Sequence, residues 1–178
     1  KVMDNEELTL FRDMTCRALE QEIAPHIEEW EAQHMVPREL WRTLGHAGLL
    51  CPDMPQEYGA AGTTPQITFA VIEELSRMGF GGIATGYSIH SNIVAPYIEH
   101  FGTEEQKAQW LPRLVTGEIL GALAMTEPGA GSDVQGIRTN AVQDGAEWIL
   151  NGSKIFITNG MMADMVMVGA ITDPGKGA

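Results

Sequence analysis

The hydrophobic rhythm of the chain changes once, near Gly117. Before it, apolar residues recur every three or four positions; after it, short apolar runs alternate with glycine turns. In residues 6–32, Leu8, Phe11, Met14 or Thr15, Leu19, Ile23, Ile27 and Trp30 fall on one helical face, and Pro25 predicts a kink or a break. Pro37 opens a helix carrying Leu40, Trp41 and Leu44, with Gly48 as its stop. Residues 52–62 read as loop. Thr64-Pro65 predicts a capping hydroxyl and a first-turn proline for a helix through Ile67, Ala70, Val71, Glu74, Leu75 and Met78 to Gly79. A continuous helix is predicted over 82–100, aligned on Ile89, Ile93, Tyr97 and Phe101. Thr103 with Gln106 makes a capping box for a helix through Trp110, Leu111 and Leu114.

Beyond Gly117 the pattern predicts strands over 119–125, 137–142, 147–150, 154–158 and 165–171. Asp144-Gly145 and Asn151-Gly152 are tight-turn signals between them. Helices followed by an antiparallel meander give an α+β chain, with a helical domain over 1–118 and a β domain over 119–178. A meander of about 60 residues with open edges is marginal alone, so the chain is expected to end inside a domain of a longer protein.

A net charge of −13 repels phosphate backbones and argues against nucleic-acid binding. The acidic pairs Glu6-Glu7, Glu28-Glu29, Glu73-Glu74 and Glu104-Glu105 read as solvated helix faces and helix starts. No apolar run approaches the roughly 20 residues that span a bilayer. The N-terminal residues lack the apolar stretch of a signal peptide, and a removed transit peptide would leave no trace. Cys16 and Cys51 fit no paired spacing and are expected as free thiols in a reducing compartment.

Among motifs, Gly129, Gly131 and Gly136 are misplaced for a dinucleotide fingerprint, and Gly175-Lys176 lacks the upstream glycine of a phosphate loop. The five histidines show no metal-binding spacing and are expected to be structural or exposed; Ser88, Ser91 and His90 lack a nucleophile elbow. Met161, Met162, Met165 and Met167 fit core or cleft filling. Two segments remain. Ala124-Met125-Thr126-Glu127-Pro128-Gly129-Ala130-Gly131-Ser132-Asp133 combines hydroxyls, a rigid proline and permissive glycines. Phe156 to Gly160 adds an aromatic face and a second threonine. Together they suit the edge and face of a flat heteroaromatic cofactor. They suit equally a polar turn and a strand with alternating sides.

These two segments resemble the acyl-CoA dehydrogenase family. The likeness extends to Leu150-Asn151-Gly152-Ser153-Lys154-Ile155, to Phe101-Gly102-Thr103-Glu104-Glu105-Gln106-Lys107 with Trp110-Leu111-Pro112, and to residues 49–59. Residues 131–139 and 148–160 are most similar to the long-chain branch. The resemblance implies a helical N-terminal domain, the first part of an antiparallel β-barrel domain, and a C-terminal helical bundle absent from this sequence. It implies FAD held by Leu123, Ala124, Met125, Thr126, Ser132, Phe156, Ile157 and Thr158. Thr126 would meet the pyrimidine edge and Ser132 the diphosphate. Phe156, where many members carry tryptophan, would stack on the ring system, with Thr158 near N5. Substrate contacts would fall to Ser132, Asp164, Met165 and Ser88.

The implied reaction is α,β-dehydrogenation of acyl-CoA thioesters, with electron-transferring flavoprotein as acceptor. An oxidase-like relative or a non-catalytic binding or assembly fragment is the alternative. No catalytic residue is implied within this chain, which is expected to be inactive alone. The full-length protein would be a homotetramer or homodimer, cytoplasmic in a bacterium or in the mitochondrial matrix of a eukaryote. Ala84, Thr85 and Ser88 are small enough for a long acyl pocket or for close helix packing.

Overall fold

The computed structural model describes residues 5–173 and 175; the ends of both predicted domains, 1–4 and 176–178, lie outside the described residues. Helices fill the first two-thirds. α1 (Asn5–Glu22) stops three residues before Pro25, and α2 (Ile27–Ala32) resumes beyond it. α3 (Arg38–His46) buries Leu40, Trp41 and Leu44. It is followed by α4 (Pro65–Arg77), α5 (Gly81–Ser88), α6 (Ala95–Phe101) and α7 (Glu104–Val115).

Three local expectations need correction. The helix over 82–100 is interrupted by a π-helical stretch, Ile89–Val94, in which the Ala95 N–H reaches the His90 carbonyl. Pro96, in the first turn of α6, has no N–H, and its ring crowds the carbonyl four residues back; a widened turn ahead of it relieves both problems. Thr64 does cap α4 in extended geometry with Pro65 following, yet its hydroxyl makes no cap bond and is buried without a partner. Glu74 is buried instead of solvated: it takes Arg12 of α1 at 2.9 Å and Arg77 at 2.5 Å, pinning α1 to α4. Thr103 does form the capping box, accepting from Gln106 N–H at 3.2 Å while the Gln106 side chain accepts from Thr103 N–H at 2.9 Å.

The helices share one core, which includes Leu19, Ile23, Trp41, Leu75, Tyr87, Leu111 and Leu114. Ala84 belongs to it, so its small size serves packing; the Thr85 hydroxyl donates to the Gly81 carbonyl. Gly45 and Gly117 let α3 and the end of α7 meet backbone to backbone, where any Cβ would collide with Thr116 or Trp41 main-chain atoms.

The chain then crosses into strands. β1 (Gly121–Ala124) pairs parallel with β4 (Met165–Val168), and β2 (Asn140–Asp144) pairs antiparallel with β3 (Glu147–Asn151). The expected all-antiparallel meander therefore holds only for the hairpin, whose turn follows Asp144 with Gly145 at φ 62°. A bridge from Ile171 to Asn140 links the two pairs. The strand expected over 154–158 does not form: Phe156 and Asn159 take left-handed backbone, at φ 56° and 63°, and turns follow through Met162. Gly152 makes no turn either. Asn151 ends β3 opposite Asn140, and Gly152 allows close approach to Thr139. Met162, Met165 and Met167 pack on the core, whereas Met161 is exposed.

Candidate functional site

β1 ends at Ala124, and the chain continues as Met125-Thr126 beside the irregular segment that replaces the expected strand. The Ile155 N–H donates to the Thr126 carbonyl at 3.0 Å. Lys154 Nζ donates to the Met125 carbonyl at 2.9 Å, across 29 residues of sequence. The two polar segments singled out from the sequence thus lie side by side. Ala124 is buried; Leu123, Met125, Thr126, Ile157 and Thr158 are half-buried. None of the hydroxyls of Thr126, Ser132 and Thr158 takes part in a hydrogen bond among the described residues.

Phe156 is the outlier. The residue is 89% exposed, and its backbone is left-handed, a conformation that is strained for an aromatic residue. The strained residue follows directly on the tethered Ile155.

Beneath the segments lies a buried ion pair that sequence reading assigned no structural role. Glu127 Oε1 meets Lys154 Nζ at 2.8 Å, and both side chains are largely buried. The carboxylate also accepts the amides of Arg138 at 2.8 Å and Thr139 at 2.9 Å. The Lys154 ammonium, reinforced by these amides, holds the Glu127 carboxyl down at about 2. A carboxylate so fully engaged is a poor proton acceptor. The Glu127-to-Ala130 turn, closed by reciprocal backbone bonds of 2.8 and 3.1 Å, sets where the loop to Ser132 departs. Nothing local marks this pairing, because its partners lie up to 27 residues away.

The remaining predicted residues have other surroundings. Asp164 pairs with Arg38 and accepts the Leu120 N–H at 2.8 Å. Partial burial pushes its carboxyl up, but Arg38 and that amide outweigh burial and leave it below the ordinary value. Met165 opens β4 opposite Gly121 and lines a hollow with Phe101 and Trp110. Ser88 ends α5 half-buried, and Ser132 is exposed; no hydrogen bond among the described residues joins either to the paired segments. Ile157, Thr158 and Asn159 line a cleft of about 700 Å³ with Trp30, Trp41 and Ile83.

Cys16 and Cys51 are free, and burial pushes the Cys51 thiol up to about 12. Among the described residues, no helix is long and apolar enough to cross a membrane, and no cluster of His, Cys, Asp and Glu could hold a metal ion.

The chain matches the family profile "Acyl-CoA dehydrogenase, N-terminal domain" over residues 5–118 and "Acyl-CoA dehydrogenase, middle domain" over 122–178. It is 46% identical over 167 residues to the mitochondrial long-chain specific acyl-CoA dehydrogenase of Rattus norvegicus, covering 94% of this chain and 38% of that protein. It superposes on the crystal structure of an acyl-CoA dehydrogenase from Geobacillus kaustophilus with a TM-score of 0.91 at 44% identity, covering 97% of this chain and 44% of the other. A glutaryl-CoA dehydrogenase from Mycobacterium smegmatis, solved in complex with FADH2, gives a TM-score of 0.89 at 35% identity over 96% of this chain and 44% of that one. The chain therefore spans less than half the length of these relatives.

Proposed function

The chain belongs to the acyl-CoA dehydrogenase family, and from that premise we propose that it forms one wall of an FAD site in an enzyme that dehydrogenates acyl-CoA thioesters. The observation that carries this reading is Phe156: an exposed ring on strained backbone, tethered through Ile155 to Thr126. Strain of this kind concentrates at ligand sites. The residues fit a flavin. Phe156 offers an aromatic face, and Thr126, Ser132 and Thr158 offer hydroxyls without protein partners. Leu123, Ala124, Met125 and Ile157 supply the wall around them.

Held by these residues, FAD would supply the two-electron acceptor needed for α,β-dehydrogenation of the thioester. This chain's residues orient and shield. Ser132, Asp164, Met165 and Ser88 are the proposed substrate contacts. Glu127 is excluded as the base, because Lys154 and two amides hold it as a low-pKa carboxylate below the wall. No other residue of this chain is proposed as the base, and the family resemblance implies that it comes from elsewhere in the full-length protein. The similarity to the rat enzyme supports a long-chain substrate. Electron-transferring flavoprotein as acceptor, a homodimeric or homotetrameric full-length protein, and a boundary at 118/119 complete the proposal. Its compartment follows its source, the mitochondrial matrix in a eukaryote or the cytoplasm in a bacterium.

The test is anaerobic titration with a long-chain acyl-CoA. The full-length protein bleaches its visible flavin band stoichiometrically, and the isolated chain binds FAD weakly and does not bleach it. Stoichiometric bleaching by the isolated chain would overturn the assignment of the base; a full-length protein without flavin would overturn the whole reading.

A further inference from the structure

Gly121, the first residue of β1, has both backbone groups held by side chains from distant segments. Its N–H donates to His90 Nδ1 at 3.2 Å, and its carbonyl accepts from Asn159 Nδ2 at 3.2 Å. Asn159 Nδ2 also donates to the Gly86 carbonyl on α5, at 2.9 Å. Since Nδ1 of His90 must offer a lone pair to Gly121, the ring proton sits on Nε2, which donates to the Leu114 carbonyl at 3.0 Å. His90 is wholly buried and lies against Trp41.

The node is also sterically closed. A Cβ on Gly121 would meet Val94 at 2.6 Å, and one on Gly86 would meet Asn159 Oδ1 at 2.7 Å and Trp41 at 2.9 Å. Three segments therefore converge with no slack: the π turn of the long helix, the start of β1, and the turn after Phe156. Asn159 is the one member on the loop side. It occupies left-handed backbone at φ 63°, which asparagine tolerates better than most residues.

We propose that Asn159 is a positioning residue that fixes the Phe156–Thr158 turn to the start of β1, so that both segments of the cofactor wall are held in one register. The inference rests on the FAD reading above. Two amide hydrogens on two carbonyls leave the turn no freedom to slide along β1. At the other end, Ile155 is tied to Thr126. Thr158 and Phe156 are thus bracketed between two fixed points. His90 completes the arrangement by fixing Gly121 from the opposite side.

The variant of choice is Asn159→Gly, because glycine accepts the left-handed backbone without strain while removing both donors. In the flavin-free full-length protein, amide exchange at Gly160 and Met162, whose N–H groups close this turn, should accelerate about tenfold or more, with α4 unchanged. FAD affinity should fall about tenfold, with a shifted visible flavin spectrum and little change in melting temperature. Asn159→Asp, which presents acceptors to two carbonyls, should do at least as much. Unchanged exchange at Gly160 and Met162, or FAD affinity within twofold of wild type with an unshifted spectrum, overturns the inference. The FAD reading fails separately, if wild-type full-length protein binds no FAD.

Discussion

The helical region and the β2–β3 hairpin are stabilised by different physics. The helices bury a shared apolar core in which Leu19, Tyr87 and Leu111 are fully enclosed. In the hairpin, every residue of β3 is exposed, including Trp148, Ile149 and Leu150. Successive strand residues point to opposite faces, so neither face of β3 is covered by the described residues. What secures the hairpin is polar and lies at its root. Glu127 holds the Arg138 and Thr139 amides, Lys154 holds Glu127, and Ile171 exchanges backbone bonds with Thr139 and Ala141. A two-stranded hairpin is marginal in water without further strands or a packed face. The lesson is that the proposed cofactor wall draws its rigidity from the polar root and the helical core beside it, and the hairpin itself contributes little.

The sharpest break is Trp41→Ala. Trp41 is 2% exposed and fits between His90 and Gly86. Loss of a buried tryptophan costs about 3–5 kcal/mol, which urea unfolding followed by far-ultraviolet circular dichroism will register as loss of the whole helical region.

Second in size is the acid response of His90. Burial lowers its pKa from 6.5 to about 4, so the unfolded chain binds the extra proton between those values. Stability is full above pH 6.5 and falls as pH drops toward 4, by up to about 1.4 kcal/mol per pH unit. Protonation would also turn Nδ1 into a donor facing the Gly121 N–H. His90→Asn should remove that slope in urea midpoints measured across the range; an identical slope would discard it.

Glu127 responds in the same sense, in a more acidic window. Its folded pKa of about 2 lies below the ordinary 4.5, so its contribution is complete above pH 4.5 and fades as pH falls toward 2. The Thr139 amide resonance should titrate near that lower value, and Glu127→Gln should abolish the titration. Lys154→Met should loosen Thr139 and Arg138 amide exchange while leaving α4 protected.

Elements dictated by neighbouring residues were legible in the sequence. Thr103 and Gln106 are three positions apart, and their capping box forms as read. The helical region followed by the beginning of a β domain was legible for the same reason, since periodicity is a local signal. Residues 154–158 misled because Ile155, Phe156, Ile157 and Thr158 are a short run of β-branched and aromatic residues, the composition of a strand. Their conformation is set by Lys154 reaching Glu127 and Met125 and by Asn159 reaching Gly86, contacts that no local pattern encodes. The chemistry of the two polar segments left their pairing level with an ordinary turn and strand, and the family resemblance favoured the pairing. The buried role of Glu127 was not legible, because an acidic residue between Thr126 and Pro128 reads the same whether it faces solvent or a distant lysine.

The smaller effects decide whether the contrast holds. Thr103→Ala removes one side of the capping box and should cost about 1 kcal/mol, within the helical region's cooperative transition. Trp148→Ala should cost the 178-residue chain less than about 0.5 kcal/mol, although tryptophan is the largest side chain available to bury. Trp148 is 53% exposed and lies opposite Gln143, with no apolar partner across the hairpin. Its removal should instead lower binding of a hydrophobic dye, since it shrinks an exposed apolar patch. A loss above about 2 kcal/mol would mean that the chain buries the indole in solution. The hairpin would then be held by apolar cover like the helices, and the division between a cored region and a polar-rooted one would fail.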